Sequence, residues 1–312
     1  MIELRIAPKS WLAVFALSAC AAPSVSPHGE HGASVMGTNG STLVALGATS
    51  GVGGFYQTDL SLELSATGET SYIDPASTVV VACIGPSFMI HDCRALKLKV
   101  ENAPSTYPSR ADPSIGGVVI VNCAVNGKGL PSWNDLTVTT DTWDACDTQL
   151  SMRGYTLSDV DVVLATASLE PGLVFSETYP GVDSAYAALL VELDTFMSTL
   201  ATKLSNARAV YWRSLHYLGY DLGEPEAYEQ GHALNTWLAA NNDDGVTWHG
   251  WGVNAWSRPC AAPNDVENPE ICYKPTDFKA DDVHLVENKP GKGADKTSTL
   301  WYSRLSTTSW FP

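Results

Sequence analysis

Positive charge is scarce in this 312-residue chain: 18 Lys and Arg stand against 34 Asp and Glu, a formal net charge of −16. A phosphate-binding surface needs clustered cations, so nucleic acid is excluded as a partner. The balance suits an exported domain acting on neutral or cationic substrates. No Cys-x-x-Cys spacing occurs, and the short-range Cys/His geometry of a zinc site is missing, so neither a metal nor a cofactor is expected. No internal repeat is visible. Apolar runs of membrane-spanning length are absent as well; the stretch from Trp11 to Leu17 is too short to cross a bilayer.

That short stretch has another reading. It follows Arg5 and Lys9 and runs into Leu17-Ser18-Ala19-Cys20, the pattern of an export signal over residues 1–19. The last four residues resemble the bacterial lipobox, in which the cysteine is lipidated and starts the mature chain; cleavage of an ordinary signal after a small residue is the alternative. The expected location is the cell envelope, with membrane contact only through a lipid on Cys20, or the secreted fraction. Residues 20–41, rich in Pro, Gly, Ser and His, read as a flexible tether, and His28, Glu30 and His31 within it as solvated. Residues 42–76 form a lead-in that periodicity does not resolve. Beyond Cys20 six cysteines remain: Cys83, Cys93, Cys123, Cys146, Cys260 and Cys272. An even set in an exported protein suggests disulfides, in any of 15 pairings. Cys260 with Cys272 is the favoured pair, because they bracket a loop rich in Pro and Asn.

From residue 77 to 312 apolar runs alternate with loops and helical stretches, which predicts an α/β fold: a central parallel sheet of about five strands between helical layers. The expected strands are Thr78 to Ile84, Gly117 to Cys123, Val160 to Thr166, Arg208 to Arg213 and a weaker Val246 to Gly252. A helix is expected over Ser184 to Leu204, where Ala185, Leu189, Leu193, Phe196, Leu200 and Leu204 make one apolar stripe. Another is expected over Glu226 to Ala240, entered through Pro225. In such a sheet ligands bind beyond the carboxyl ends of the strands. Ser87, Asn126 and Gly127, and Ser168 follow the first three strands.

Two segments carry chemistry. Gly85-Pro86-Ser87 ends a buried run and exposes a hydroxyl; Asp281-Asp282-Val283-His284 holds a histidine three residues after a carboxylate that can orient it. Ser87 also has a bland role open to it, as the cap of a helix starting at Phe88. His91, His216, His232 and His249 read as core or surface residues, with His91 one helical turn past Ser87 and behind it. Trp248, Trp251 and Trp256 either pack the sheet or wall a pocket. A Gly-x-Ser-x-Gly elbow is missing because Met89 fills its last position, which disfavours the α/β-hydrolase fold.

In order and content the segments resemble the conserved blocks of the SGNH (GDSL-type) hydrolases, three-layer α/β/α esterases. Gly85-Pro86-Ser87 is similar to the first block, Val121 through Gly127 to the second, and Asp281 through His284 to the last. The resemblance implies Ser87 as nucleophile, His284 as general base, Asp281 as its orienting carboxylate, and the N–H groups of Ser87 and Gly127 as oxyanion donors, the glycine letting the backbone approach closely. It implies an exported serine esterase acting on a carboxylic ester or acylated carbohydrate, such as acetyl groups on a glycan. Pro86 replaces the usual Asp of the first block. Ser168 stands where the third block has Asn, so the same pattern also fits a weak or inactive lipoprotein that binds a glycan or protein partner.

Overall fold

The computed structural model describes residues 35–36, 42–43, 72–101, 117–138, 141–179, 181–216, 226–256, 271–287 and 289–311, all within the unit Gly32–Pro312. Residues 1–34, with the signal segment, Cys20 and the tether histidines, lie outside the described residues, as do Pro225 and Cys260.

Val35–Met36 (β1) pairs antiparallel with Thr42–Leu43 (β2). The central sheet has five strands: β3 Val79–Ile84, β4 Val118–Asn122, β5 Val162–Thr166, β6 Ala209–Arg213 and β7 Trp248–Val253. They pair in parallel in the order β4-β3-β5-β6-β7. Among the described residues six α-helices accompany them: α1 Ser87–Glu101, α2 Leu130–Asn134, α3 Trp143–Ser151, α4 Ala185–Lys203, α5 Glu226–Ala240 and α6 Ala294–Leu305.

The strand alternation of side chains assigns the layers. Val80, Ala82 and Ile84 of β3 join Val163, Trp212, Leu189, Leu193, Phe196 and Leu234 in one core, under α2 to α5. Val79, Val81 and Cys83 face the other way, toward Met89, Leu96, Trp301 and Leu305 of α1 and α6. With both faces covered, β3 is buried along its whole length, as a parallel strand rich in Val and Ile requires. Fully burying each such side chain contributes about 1.5–3 kcal/mol. The fifth strand starts two residues later than the apolar run suggests. Asp244 Oδ1 accepts the N–H groups of Val246 (2.8 Å) and Thr247 (2.7 Å), so both belong to a turn.

Two disulfides fasten the site's end of the sheet. Cys83 at the end of β3 is bonded to Cys93 on α1, and Cys123 just after β4 to Cys146 on α3. By loop closure each contributes about 3 kcal/mol. Cys272 is disulfide-bonded as well.

The sheet order sets the place of the site. The chain steps from β3 out to β4, then passes back across β3 to β5. The loops after β3 and β5 therefore diverge and leave a crevice at the carboxyl edge.

Candidate active site

The turn before Ser87 is built on one glycine. Gly85 has φ of +146°, which strains any other residue, and a Cβ there would crowd β5 and α1, 3.0 Å from Thr166 Cβ and 3.2 Å from Met89 Cβ. The Pro86 carbonyl then accepts from the N–H groups of Met89 (3.0 Å) and Ile90 (3.3 Å) and starts α1. Ser87 is the first residue of that helix, not a cap before it. Its Oγ is engaged elsewhere.

A hairpin brings the partner. Phe278 and Leu285 form an antiparallel bridge, and Lys279 N–H donates to the His284 carbonyl at 2.7 Å. Asp282 takes the left-handed conformation, φ 55°, which Asp adopts more readily than most residues. That turn lets Asp281 Oδ1 accept from the backbone N–H groups of Val283 (3.1 Å) and His284 (2.9 Å). Its Oδ2 accepts from His284 Nδ1 at 2.8 Å. With the proton on Nδ1, the lone pair of Nε2 accepts from Ser87 Oγ at 2.7 Å. Burial pushes the Asp281 carboxyl up, but the His284 backbone N–H, the His284 ring and the Val283 N–H outweigh it and hold its pKa at about 2. The carboxylate is ionised across the whole working range, and 28% of the His284 side chain faces solvent.

Behind this chain lies a buried network that the sequence did not point out. Arg213 ends β6 with no exposed surface, and its Nε donates to Asp92 Oδ2 on α1 at 2.6 Å. Thr297 Oγ1 on α6 donates to the other Asp92 oxygen at 2.5 Å. Arg213 Nη1 donates to the Ser214 carbonyl (2.9 Å) and Nη2 to His216 Nδ1 (3.3 Å). His216 Nε2–H donates to the Val283 carbonyl at 2.8 Å, one residue before His284. Burial, reinforced by the Arg213 charge, pushes the His216 pKa down to about 3, so the ring is neutral and has this one tautomer. The Phe88 ring packs edge-on against His216, 4.6 Å between centroids, and 5.7 Å from His284. The nearest sequence signal is an arginine inside an otherwise apolar buried run, since such a charge needs a partner.

His91 sits beside the histidine, not behind the serine: its ring is 5.8 Å from that of His284, edge to face. Its Nδ1 lies 2.6 Å from Glu287 Oε1, at an angle outside hydrogen-bond geometry. Lys279 Nζ approaches its Nε2 at 3.3 Å and Glu287 Oε1 at 2.9 Å. Burial lowers the His91 pKa, with Glu287 opposing and Lys279 assisting.

Ser168 and Gly127 occupy the loops after β5 and β4. Ser168 is 1% exposed and its Oγ has no hydrogen-bond partner among the described residues. It lines a cavity of about 380 Å³ together with Pro86 and Phe88, which flank Ser87, and Val283, which precedes His284. Gln230 Oε1 on α5 accepts the neighbouring Leu169 N–H at 2.9 Å. Gly127 has φ of +70° in a turn closed by Lys128 N–H to the Val125 carbonyl, 3.2 Å. A Cβ there would meet nothing within 4 Å, so backbone conformation, rather than close approach, calls for the glycine. Close approach belongs to Gly129, where a Cβ would lie 2.4 Å from the Leu169 carbonyl oxygen. Asn126 is exposed.

Trp248, Trp251 and Trp256 are all buried, and none lines this cavity. They are packing residues, with Trp251 Nε1–H donating to Asn235 Oδ1 at 2.9 Å. His249 is wholly buried, and neither of its ring nitrogens has a hydrogen-bond partner among the described residues. Among the described residues no group of three or more His, Cys, Asp or Glu is placed to hold a metal ion, and no helix is long and apolar enough to cross a membrane.

No protein-family model matches the chain, and no curated protein matches it. Among solved structures it is similar to a carbohydrate esterase whose active site displays divergent catalytic and non-catalytic binding functions. The likeness covers 75% of this chain and 69% of that one at 12% identity, with a TM-score of 0.36.

Proposed function

We propose that the chain is an exported serine esterase of the SGNH type, hydrolysing a carboxylic ester through an acyl-enzyme on Ser87. The observation that carries this reading is the unbroken hydrogen-bonded chain from Asp281 through His284 to Ser87. Ser87 Oγ attacks the ester carbonyl as its proton passes to His284 Nε2. The imidazolium formed is held by the Asp281 carboxylate. It returns the proton to the leaving alcohol as the tetrahedral intermediate collapses. Water, activated by the same ring, then cleaves the acyl-enzyme.

The oxyanion is assigned three donors: the N–H of Ser87, the N–H of Gly127 and the hydroxyl of Ser168. Ser87 opens a helix of 15 residues, whose N-terminal dipole favours negative charge. A correctly aimed donor typically lowers such a barrier by ~3 kcal/mol. The two disulfides suit an oxidising compartment outside the cytoplasm, and a lipid on Cys20 is the proposed anchor.

The test is labelling with a fluorophosphonate probe together with hydrolysis of a short-chain aryl ester. Ser87→Ala is expected to abolish both, and Asp281→Asn to lower kcat by about 10³–10⁴-fold because the imidazole loses its tautomer. Unchanged turnover in Ser87→Ala would sink the assignment. Absence of any labelling or turnover in the parent protein would favour a lipoprotein that only binds its ligand. For the anchor, membrane partitioning that survives Cys20→Ser would rule it out.

A further inference from the structure

We infer that the ester cleaved here carries an acyl group larger than acetyl, an apolar chain of about four to eight carbons, and that this chain lies in the cavity between the β3 and β5 loops. The inference rests on the esterase reading above and concerns which substrate that site takes.

The cavity is lined by the chain neighbours of the reacting residues. Pro86 and Phe88 lie on either side of Ser87, and Val283 directly precedes His284. Three directions leave the carbonyl carbon held at Ser87. The oxygen points to the oxyanion donors, of which Ser168 borders this cavity. The leaving alcohol must stay within reach of His284, whose solvent-facing side directs a bulky alcohol outward. The acyl substituent takes the remaining direction, into the cavity.

Size and lining select the substituent. At ~30 Å³ for a water-sized group, a cavity of about 380 Å³ has room for roughly a dozen, and an acetyl methyl fills only one such place. Phe88, Leu173, Phe175 and Leu215 supply apolar surface. Against these four side chains a sugar ring would bury hydroxyls without partners, which costs binding; the polar part of the lining is Ser168, Glu170, Glu226 and Gln230. Glu170 and Glu226 also border the cavity, and two carboxylates disfavour an acyl chain that ends in a negative charge.

The experiment uses the full chain and a series of p-nitrophenyl esters from acetate to octanoate. The expected result is a rise in kcat/KM of about fourfold per added methylene, the yield of burying one CH₂. A kcat/KM that is highest for acetate and falls with each carbon overturns the inference. Leu173 is 44% exposed, so Leu173→Asp should fold; it is expected to lower the octanoate-to-acetate ratio at least tenfold, and an unchanged ratio places the chain elsewhere. Calorimetric titration with acetamide and hexanamide reads the cavity without catalysis. Tighter binding of hexanamide supports the acyl site even if the protein turns over no ester, and equal affinity overturns it.

Discussion

Asp92 and Arg213, 121 residues apart in the chain, form an ion pair of 2.6 Å with neither side chain exposed. The pair joins α1, which carries Ser87, to the end of β6. Through His216 it continues to the Val283 carbonyl beside His284. Ser87 and His284 thus arrive on different elements, and one buried network ties both elements together. A buried pair is no guarantee of stability, because desolvating two charges is costly. Its geometry here offers a different benefit: it sets the position of a loop.

Breaking the pair and breaking its last link should have different signatures. Arg213→Met leaves a buried carboxylate unpaired and is expected to cost about 3–5 kcal/mol, read by urea denaturation. His216→Leu keeps the ion pair but removes the donor to Val283. It is expected to lower kcat about 10- to 100-fold with KM little changed, because a misplacement of about 1 Å at the base has that effect. Unchanged kcat in a folded His216→Leu protein would show that the link does not position His284.

Ser168→Ala separates stability from rate. The Ser168 hydroxyl is buried and unpartnered, so removing it should leave stability equal or raise it by about 1 kcal/mol. If the hydroxyl serves the oxyanion, kcat falls about 100-fold in the same variant. A variant as fast as the parent protein would remove Ser168 from the oxyanion site.

Acid should destabilise the fold between about pH 6.5 and 4. Burial holds His216 at about 3, and His232 and His249 at about 4, against an ordinary imidazole value of 6.5. The unfolded chain therefore binds protons in this window that the folded chain refuses; the stabilisation is complete above 6.5 and is lost as pH falls. Glu229 works in the opposite sense. Burial pushes it up to about 7, so its contribution is present below about 4.5 and lost as pH rises through 7. Three histidines outweigh one glutamate, giving a slope on the order of 1–3 kcal/mol per pH unit near pH 5.5. Urea midpoints at pH 7.5 and 5 measure it. His249→Phe, which removes two buried nitrogens without a hydrogen-bond partner among the described residues, should raise stability at pH 5 and flatten the slope by about half.

How legible the chain is depends on the kind of signal. β3 and β5 can be read because a strand covered on both faces must be apolar throughout, and the starts of both differ from the expected ones by only one or two residues. The stripe on α4 can be read because one face meets the sheet, and Ser184 marks its start as a cap that accepts from Ala187 N–H at 3.3 Å. Asp281 and His284 can be read because three residues are enough for the contact. Asp92, Arg213 and His216 cannot, since a charge leaves no periodic trace that names its distant partner. The pairing of Cys83 with Cys93 and of Cys123 with Cys146 depends likewise on where α1 and α3 come to rest.

By itself the sequence determined the α/β class, the five strands of the central sheet to within two residues at each end, and the limits of α4 and α5 to within one, because each follows from local composition or short spacing. Only the tertiary structure decided that β3 and β5 are neighbours while β4 lies outside them. That order opens the crevice beside Ser87. It also decided which nitrogen of His284 faces the serine, and which buried arginine steadies the loop behind it. The links from His216 to Val283 and from His284 to Ser87 join residues 67 and 197 positions apart, and only the packed sheet brings them together.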